Sequence, residues 1–435
     1  MSKILIRDTN ILDFSKDVEN VRNVDIFIDE NKIKLISKNI KEPPNERIKV
    51  VNGKNKLTFP GLINCHTHIP MVLMRGYADD LPLNIWLNKK IFPVERRLDP
   101  ESIYMGTLLG LAELIRTGCT TFVDMYFFME EVASAVKIAG LRCILSYGII
   151  GINGKKGLID SENFFNNFNN YANGRVKVYL GPHAPYTCSL EYLKEVATLS
   201  KKLNTGVHIH LNETKSEIEE LTKDFGKPPI LKVSETGLMD GKTVAAHCVH
   251  LTQEEIEILK EKNVLVAHNP SSNMKLASGI APVQDMLNKG IKVSIGTDGA
   301  ASNNSLNMWH EMRLASFLSK VSTLDATSLP AREILKMTTS VPGNYLWDGA
   351  IGEIKEGSLA DLILIDLNNI NLTPAFSLES NLTYATYGNE IDTVIVDGNI
   401  IMENNKILSF DEELIKKEAR KQAERIIGKK VFLNE

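Results

Sequence analysis

Two histidines with one residue between them, His66 and His68, follow an apolar run from Leu57 to Asn64. The run predicts a β-strand, and residues i and i+2 of a strand point to the same face. Both imidazoles can therefore reach one metal ion. A bare His-x-His pair also fits two ordinary histidines, so the rest of the chain has to decide between metal binding and packing.

Other side chains of the kinds that bind metals stand at the ends of further apolar runs. Histidine and carboxylate side chains suit zinc, and a catalytic zinc site keeps one position open for water. Imidazole ligands also suit other transition metals, so Fe²⁺, Ni²⁺ and Mn²⁺ are alternatives to Zn²⁺. The sequence therefore predicts a metal centre among His66, His68, His183, His210, His247 and Asp298.

Glu213 lies three residues beyond His210, on the loop that leaves the same predicted strand. A water bound to a zinc-type ion has its pKa lowered from about 15.7 towards about 7, which supplies hydroxide at neutral pH. A carboxylate at this position can move a proton without binding the metal. The other interpretation, a loop carboxylate in water, is weakened by the ligand-type histidine nearby.

Strands that alternate with helices must position these side chains, and this alternation is typical of a parallel sheet. Helical stretches are predicted at 101–117, 131–139, 190–203, 254–262 and 282–289. The predicted strands lie near 57–64, 119–124, 141–148, 176–182, 205–211, 242–247, 263–268 and 291–298. Eight strands with helical crossovers indicate a (β/α)₈ barrel, whose active site lies where the strands end.

Shorter strands and turns flank the barrel segment. We expect residues 1–56 and 349–410 to form one small β-sandwich, with the barrel of residues 57–348 inserted into it. The last segment, 411–435, is charged with an apolar stripe, and we expect a surface helix in it. The predicted fold class is therefore α/β: a TIM-type barrel with a sandwich built from both ends of the chain.

The composition predicts a cytoplasmic enzyme. Of 435 residues 43% are hydrophobic and 24% charged, so a large core can be buried. The net charge of -4 argues against a nucleic-acid partner, whose binding surfaces are usually basic. No signal peptide is visible, and no apolar run approaches the ~18 residues of a membrane span. Five scattered cysteines fit reduced thiols.

Several segments carry a resemblance to a known family: PGLINCHTH (60–68), FPVERRL (92–98), GPHAPYTCS (181–189), HIHLNET (208–214), AAHCVHL (245–251), AHNPSSNMKLASGIAPV (267–283) and SIGTDGAASNNSLNM (294–308). With them the chain resembles the amidohydrolase superfamily and, within it, the 5-methylthioadenosine/S-adenosylhomocysteine deaminases, which include 5′-deoxyadenosine deaminases. The later segment GEIKEGSLADLILID resembles the trailing part of that family's sandwich. The resemblance extends over nearly the whole chain.

The resemblance implies a role for each candidate residue. Glu213 would exchange a proton with N1 of an adenine ring, and His247 with Asp298 would activate the water. Strand four shows no lysine at its end, directly before His183, that could bridge two metals, so one metal ion per subunit is expected. The implied metal ligands are His66, His68, His210 and Asp298.

The resemblance also implies substrate contacts, with one departure. His183 would bind the substrate, and Glu95 would accept hydrogen bonds from the ribose hydroxyls, since a carboxylate is a pure acceptor. Relatives that accept S-adenosylhomocysteine use two arginines to hold its carboxylate. This chain has Tyr147 at the first position and no arginine at the second, where Lys155 or Lys156 could serve as point charges.

We therefore expect a zinc-dependent aminohydrolase that releases ammonia from adenosine-type nucleosides. The expected substrates are 5′-methylthioadenosine, 5′-deoxyadenosine and adenosine, with S-adenosylhomocysteine less favoured. A guanine-type deaminase or a triazine-type chlorohydrolase on the same barrel is the nearest alternative. Glu95 discriminates between them, because a free base has no ribose to bind. A non-catalytic binding protein is a more remote alternative, and the sequence leaves a homo-oligomer open.

Overall fold

A computed structural model of the protein describes residues 3–12, 21–42 and 47–432, and its strands belong to two sheets. Five strands precede the barrel: β1 (Lys3–Ile11), β2 (Val21–Asp29), β3 (Lys32–Ser37), β4 (Ile48–Asn52) and β5 (Lys56–Pro60). The barrel strands are β6 (Leu62–Thr67), β7 (Cys119–Tyr126), β8 (Arg142–Ile149), β9 (Val176–Pro182), β10 (Val207–Leu211), β11 (Thr243–His247), β12 (Leu265–His268) and β13 (Lys292–Ile295). Four more follow: β14 (Leu362–Asp366), β15 (Ile391–Val396), β16 (Asn399–Glu403) and β17 (Lys406–Ile407).

The strands β6 to β13 form an eight-stranded parallel sheet in sequence order. The sheet curls into a barrel, and the backbone N–H of Asp298, beyond β13, donates to the carbonyl of His66 on β6 at 2.9 Å. Nearly every residue of these strands is buried, as expected for parallel strands covered by helices. The predicted (β/α)₈ barrel is confirmed.

The helices of the described residues alternate with these strands and cover the barrel. Side-chain caps define several starts: Asp99 accepts from Ser102 N–H, and Thr214 from Glu217 N–H, each completing a capping box. The helices are Leu83–Ile85, Phe92–Glu95, Pro100–Arg116, Met129–Ala139, Gly154–Phe168, Tyr171–Gly174, Leu190–Leu203, Lys215–Phe225, Pro229–Ser234, Gln253–Glu261, Pro270–Lys275, Val283–Asn288, Ala300–Asn303, Met308–Thr323, Ala331–Met337, Ser340–Trp347, Leu378–Tyr384 and Glu412–Ile427. Tighter 3₁₀ turns lie at Ile69–Met74, Gly151–Asn153 and Ile370–Leu372, and a π-helical turn at Trp86–Ile91.

Both ends of the chain contribute to the second sheet. Its nine strands run in the order β17-β16-β15-β14-β5-β1-β2-β3, with β4 paired to β1. Most of its pairs are antiparallel, and it encloses a separate apolar core. The predicted joining of the N- and C-terminal strands is confirmed, and the last helix, Glu412–Ile427, lies where a surface helix was predicted.

The strand predicted at 57–64 is wrong in one respect, because it is two strands. β5 ends at Pro60 and pairs with β14 in the second sheet, whereas β6 begins at Leu62 in the barrel. The chain crosses between the sheets at Gly61, where an added Cβ atom would lie 2.1 Å from the Thr120 hydroxyl. Only glycine fits so close an approach. The domain limits proposed from the sequence remain predictions, and the one at residue 57 falls inside β5.

A buried ion pair joins the amino end of barrel strand β8 to the second sheet. Arg142, the first residue of β8, donates from Nε to Asp361 Oδ2 at 2.7 Å and from Nη2 to Asp397 Oδ1 at 3.1 Å. The Arg142 side chain is only 3% exposed.

Among the helices of the described residues, none combines the length and the apolar character that a membrane crossing requires.

Candidate active site

The side chains predicted to bind a metal come together at one end of the barrel. Each stands at or just beyond the carboxyl end of a parallel strand, which is where (β/α)₈ enzymes place their active sites. They are His66 and His68 at the end of β6, His183 after β9, His210 on β10, His247 on β11 and Asp298 after β13. Glu213 follows two residues after β10.

Four histidines and one aspartate crowd into a single cluster. The Nε2 atoms of His68 and His210 are 3.3 Å apart, and Asp298 Oδ1 lies 3.3 Å from His68 Nε2. Two overlapping triplets, His66–His210–His247 and His66–His68–Asp298, each have their ligand atoms within 4.8 Å of one another. Nitrogen and oxygen ligand atoms at such spacing can hold a metal ion between them.

Hydrogen bonds on the outer ring nitrogens orient two of these imidazoles. His68 donates from Nδ1 to the carbonyl of Met125 at 2.5 Å, and His210 donates from Nδ1 to the carbonyl of His183 at 2.7 Å. A carbonyl oxygen only accepts, so whenever the ring is neutral, as it must be to bind a metal, its proton is on Nδ1. Nε2 then presents its lone pair to the centre of the cluster, as in metal-binding histidines.

His66 lies deepest in the cluster. Its Nδ1 atom is 2.8 Å from His208 Nε2, and burial lowers the pKa of His66 to about 3, so the ring is neutral. Its Nε2 atom is buried and has no well-directed hydrogen bond among the described residues, although Asp298 Oδ1 lies 3.4 Å away. An unpartnered buried nitrogen aimed at other ligand atoms fits a divalent metal ion.

Asp298 supplies the negative charge of the cluster. Its Oδ2 atom accepts hydrogen bonds from Ser272 Oγ at 2.6 Å and Ser302 Oγ at 2.8 Å. Burial opposes its ionisation, but the hydrogen bonds and charges of His66 and His68 outweigh burial and hold its pKa well below the usual range. Burial likewise opposes protonation of His68, yet Asp298 raises the pKa of His68 to about 9. A site that attracts a proton this strongly also attracts a divalent cation, which competes for the same atoms.

Glu213 and His247 face each other beside the cluster. Glu213 Oε2 lies 3.9 Å from His247 Nε2, and Glu213 Oε1 accepts from Ser278 Oγ at 3.3 Å. His247 donates from Nδ1 to Asn273 Oδ1 at 2.8 Å, and its backbone φ of 73° is in the left-handed region. Burial raises the pKa of Glu213 above its ordinary value. Strained backbone and a buried carboxyl of raised pKa are typical of sites that transfer protons.

His183 borders the cluster without joining either metal-type triplet. Its ring centroid is 4.8 Å from that of His210 and 5.6 Å from that of Tyr186. Nδ1 of His183 lies 3.0 Å from Thr187 Oγ1, and burial lowers the pKa of His183 to about 4. A neutral imidazole with one nitrogen occupied keeps the other for a ligand in the cavity.

Glu95 is on a different element from every other candidate residue. It ends the short helix Phe92–Glu95 in the segment between β6 and β7. Its Oε1 atom accepts a hydrogen bond from the Tyr126 hydroxyl at 2.8 Å. Burial raises the pKa of Glu95, and the hydrogen bond from Tyr126 acts in the opposite direction. The carboxylate thus has one oxygen bonded to the protein and one available.

Tyr147, which stands where relatives that accept S-adenosylhomocysteine have an arginine, lies near the end of β8. Tyr147 is half-buried there, and its pKa is raised by burial and then by the charges of Asp160 and Glu130. Lys155 and Lys156 lie on the next helix, are exposed, and have no ion pair among the described residues. The charges that act on the Tyr147 hydroxyl are therefore those of two carboxylates, Asp160 and Glu130.

Sequence reasoning did not anticipate the side chains that hold the candidate residues in place. Hydroxyl and amide groups are common in loops, and most of their partners lie 26 or more residues away in the sequence, so no spacing indicates them. Ser302, four residues after its partner Asp298, is the exception. Most lie in the segments quoted for the family resemblance, which was the only available signal. These residues are Tyr126, Ser272, Asn273, Ser278 and Ser302.

Comparisons with known proteins agree with this geometry. The model of the amidohydrolase family matches residues 57–401. A 5-methylthioadenosine/S-adenosylhomocysteine deaminase of Caldanaerobacter subterraneus is 48% identical, and the match covers 98% of both chains. A 5′-deoxyadenosine deaminase of Methanocaldococcus jannaschii is 47% identical over 93% of this chain and 97% of its own. A solved structure of an adenosine deaminase from Xanthomonas campestris with bound zinc superposes with a TM-score of 0.93 at 30% identity, covering 98% of each chain. The resemblance stated from the sequence segments is confirmed.

Proposed function

Since this chain belongs to the amidohydrolase family, we propose that it is a zinc-dependent deaminase of adenosine-type nucleosides. It would replace the amino group at C6 of the purine by oxygen, giving the inosine product and ammonia. The observation that carries the proposal is the buried pair of Glu213 and His247 beside the histidine–aspartate cluster. Relatives that match nearly the full length of this chain are named as deaminases, which supports the same chemistry.

One metal ion per subunit would be held by His66, His68, His210 and Asp298. Three imidazole nitrogens and a carboxylate oxygen form a donor set that suits zinc, and Fe²⁺, Ni²⁺ and Mn²⁺ are the other metals we consider. When bound, a zinc-type ion supplies a nucleophile by lowering the pKa of a water towards about 7. His247 stands beside this set and can accept a proton from that water together with Asp298.

Glu213 is the group that serves the purine ring. As oxygen adds to C6, electron density moves onto N1, and Glu213 donates a proton there. The proton taken up by His247 and Asp298 then passes to the amino nitrogen and the C6–N bond breaks, so that ammonia leaves. The proton of the new C6 hydroxyl returns to Glu213, which leaves the C6 carbonyl of the inosine product. The raised pKa of Glu213 keeps a larger protonated fraction near neutral pH, which favours its role as an acid.

Glu95 and His183 would hold the nucleoside. The free oxygen of Glu95 can accept hydrogen bonds from the vicinal ribose hydroxyls, and the free nitrogen of His183 can bind the purine. With Tyr147 where an arginine would hold a carboxylate, and with the charges of Asp160 and Glu130 acting on it, a small uncharged 5′-group fits better than an amino-acid carboxylate. We therefore favour 5′-methylthioadenosine, 5′-deoxyadenosine and adenosine over S-adenosylhomocysteine.

A guanine-type deaminase or a triazine-type chlorohydrolase is the alternative on the same barrel. Both act on compounds without a ribose, and neither would need the half-buried carboxylate of Glu95. A non-catalytic binding protein is disfavoured, because the proposed ligands, Glu213 and His247 are all present. The cytoplasmic location and the lack of nucleic-acid partners remain predictions from the sequence, which leaves the oligomeric state open.

The test is ammonia release by the metal-loaded protein from a panel of compounds at one pH. Adenosine, 5′-deoxyadenosine and 5′-methylthioadenosine should give ammonia and the matching inosine product, whereas guanine should give little. Turnover of guanine or a chlorotriazine with inert nucleosides would transfer the assignment to the alternative. No ammonia from any compound, with the metal site filled, would favour the binding protein.

A further inference from the structure

Tyr126 is the last residue of β7, and its hydroxyl forms a hydrogen bond with the carboxylate of Glu95. The side chain is buried, with 5% of its surface exposed, and its hydroxyl donates to Glu95 Oε1 at 2.8 Å. Glu95 is outside the barrel sheet, on the short helix Phe92–Glu95. The hydrogen bond therefore connects a barrel strand to a carboxylate that approaches the site from another element.

The same strand end also orients a histidine of the cluster. The carbonyl of Met125 accepts the hydrogen bond from His68 Nδ1 at 2.5 Å, and the rings of His68 and Tyr126 have centroids 6.0 Å apart. Two consecutive residues of one buried strand thus contact His68 and Glu95. Because a strand end is stiffer than a loop, this arrangement fixes the distance between the two groups.

We propose that Tyr126 is a positioning residue for ribose recognition, which it serves by holding one oxygen of Glu95 so that the other faces the two ribose hydroxyls. The inference deepens the proposed function and rests on it. A glutamate has three rotatable side-chain bonds, and fixing them before the substrate arrives reduces the entropy lost on binding. The acceptor atom is also placed relative to the cluster, so that a bound ribose sets the distance of the purine from His68.

The chemistry of the pair agrees with this role. Burial, and then the charge of Glu95, hold the pKa of Tyr126 well above its ordinary value, so the phenol stays a donor at any physiological pH. Glu95 Oε2 has no hydrogen bond among the described residues, while Oε1 is bonded. A carboxylate with one oxygen fixed and one open matches a diol, which offers two donors to one acceptor.

The experiment uses Tyr126→Phe in the metal-loaded protein, which removes the hydroxyl and keeps the ring. KM for adenosine should rise ~10- to 100-fold, about the range expected for losing one hydrogen bond to a charged group, with kcat changed much less. KM for 2′,3′-dideoxyadenosine, which lacks both hydroxyls, should change little. Tyr384→Phe is the matched control: it removes a phenol hydroxyl that lies 3.0 Å from Ser316 Oγ, between the helices Leu378–Tyr384 and Met308–Thr323. This control should leave KM for both adenosine and 2′,3′-dideoxyadenosine unchanged.

A double variant isolates the contact. If Tyr126 acts through Glu95, Tyr126→Phe should add nothing to the KM of Glu95→Ala with adenosine. Metal content should match the wild type in every variant, which separates an effect on Glu95 from one on His68 through the Met125 carbonyl. Three results would overturn the inference, because each would give the hydroxyl a different role. They are an equal rise in KM for adenosine and the dideoxy compound, a reduced metal content, and a melting curve that shows Tyr126→Phe to be unfolded.

The outcome is distinguishable from a failure of the proposed function. A wild-type protein that releases no ammonia from any adenosine-type nucleoside refutes the proposed function itself, and the inference about Tyr126 with it. A wild type that turns over adenosine while Tyr126→Phe shows an unchanged KM refutes only the positioning role.

Discussion

His247 Nε2 lies 3.9 Å from Glu213 Oε2 across the buried end of the barrel, and neither group belongs to the four proposed metal ligands. His247 is the last residue of β11, whereas Glu213 is on the loop after β10. Each is oriented by a second contact, to Asn273 for His247 and to Ser278 for Glu213. A base and an acid held this close can act at opposite ends of one bond, which is what hydrolytic deamination requires.

Glu213→Gln should keep the metal and lose most turnover. Glutamine preserves the shape and can accept from Ser278, but it cannot cycle a proton, and general acid–base catalysis typically contributes ~10²–10⁴-fold. We expect kcat for adenosine to fall within that range while metal content is unchanged. Glu219→Gln, an exposed glutamate on the following helix, is the control and should have wild-type kcat. A near-wild-type rate for Glu213→Gln would remove Glu213 from the mechanism.

The purified protein should hold about one zinc-type ion per chain, and His68→Ala should lose both the ion and the activity. The ring of His68 lies within 3.3 Å of Asp298 Oδ1 and of His210 Nε2, so its removal opens the centre of the cluster. Metal per chain, measured by mass spectrometry, should fall well below that of His310→Ala, which removes an exposed histidine. A chelator should lower the melting temperature of the wild type, because a ligand bound only by the native state stabilises it. Two tightly bound ions, both needed for turnover, would contradict the single-metal proposal.

The barrel could be predicted from the sequence because its signal is periodic. Each strand is an apolar run, several helices have a side-chain cap or a following glycine such as Gly140, and the ligand-type residues stand at strand ends. The crossing at Gly61 was not predicted: the Pro60–Gly61 dipeptide is a common break signal, but apolar residues continue on both sides of it, so the segment was interpreted as one strand. What separates β5 from β6 is the contact of Gly61 with Thr120 and Asp361, both distant in the sequence.

The candidate site shows the same limit. His66 and His68 can be grouped from their spacing, since strand geometry dictates that they share a face. Tyr126 could not be paired with Glu95, because their contact depends on how the segment between β6 and β7 returns over the barrel end. The backbone φ of 59° at Asp298 and 73° at His247 was not predicted either, because Asp and His are enriched among residues with positive φ but most of them still have negative φ.

Arg142→Met should reduce the free energy of unfolding by ~3–5 kcal/mol, the range for removing one partner of a buried ion pair. The carboxylates of Asp361 and Asp397 would remain at the junction of the two sheets without their cation. Arg425→Met is the matched control, because Arg425 pairs with Asp99 at 2.6 Å with both side chains well exposed. Such pairs contribute ~0–1 kcal/mol. Guanidinium unfolding of both variants checks the difference, and equal midpoints would show that the Arg142 pair does not join the two units.

Glu95→Ala should damage the turnover of ribonucleosides far more than that of any free base. A site built to hydrogen-bond a substrate hydroxyl can discriminate by ~10⁴-fold against an analogue that lacks it. By the same reasoning 2′-deoxyadenosine should be a poorer substrate than adenosine for the wild type. Glu101→Ala, an exposed glutamate on the next helix, provides the control. If Glu95→Ala lowers kcat/KM for adenosine and adenine by the same factor, Glu95 does not bind the ribose.

The 5′ end of the substrate should be selected by charge around Tyr147. Asp160 and Glu130 are close enough for their charges to raise the pKa of Tyr147, and the same charges repel the carboxylate of S-adenosylhomocysteine. We therefore expect 5′-methylthioadenosine or 5′-deoxyadenosine to have kcat/KM at least as high as S-adenosylhomocysteine, at equal pH and saturating metal. Tyr147→Arg should raise kcat/KM for S-adenosylhomocysteine and leave 5′-deoxyadenosine less affected. A wild-type preference for S-adenosylhomocysteine that disappears in Lys155→Ala or Lys156→Ala would show that a lysine binds the carboxylate, and the proposal of a small 5′-group would then be wrong.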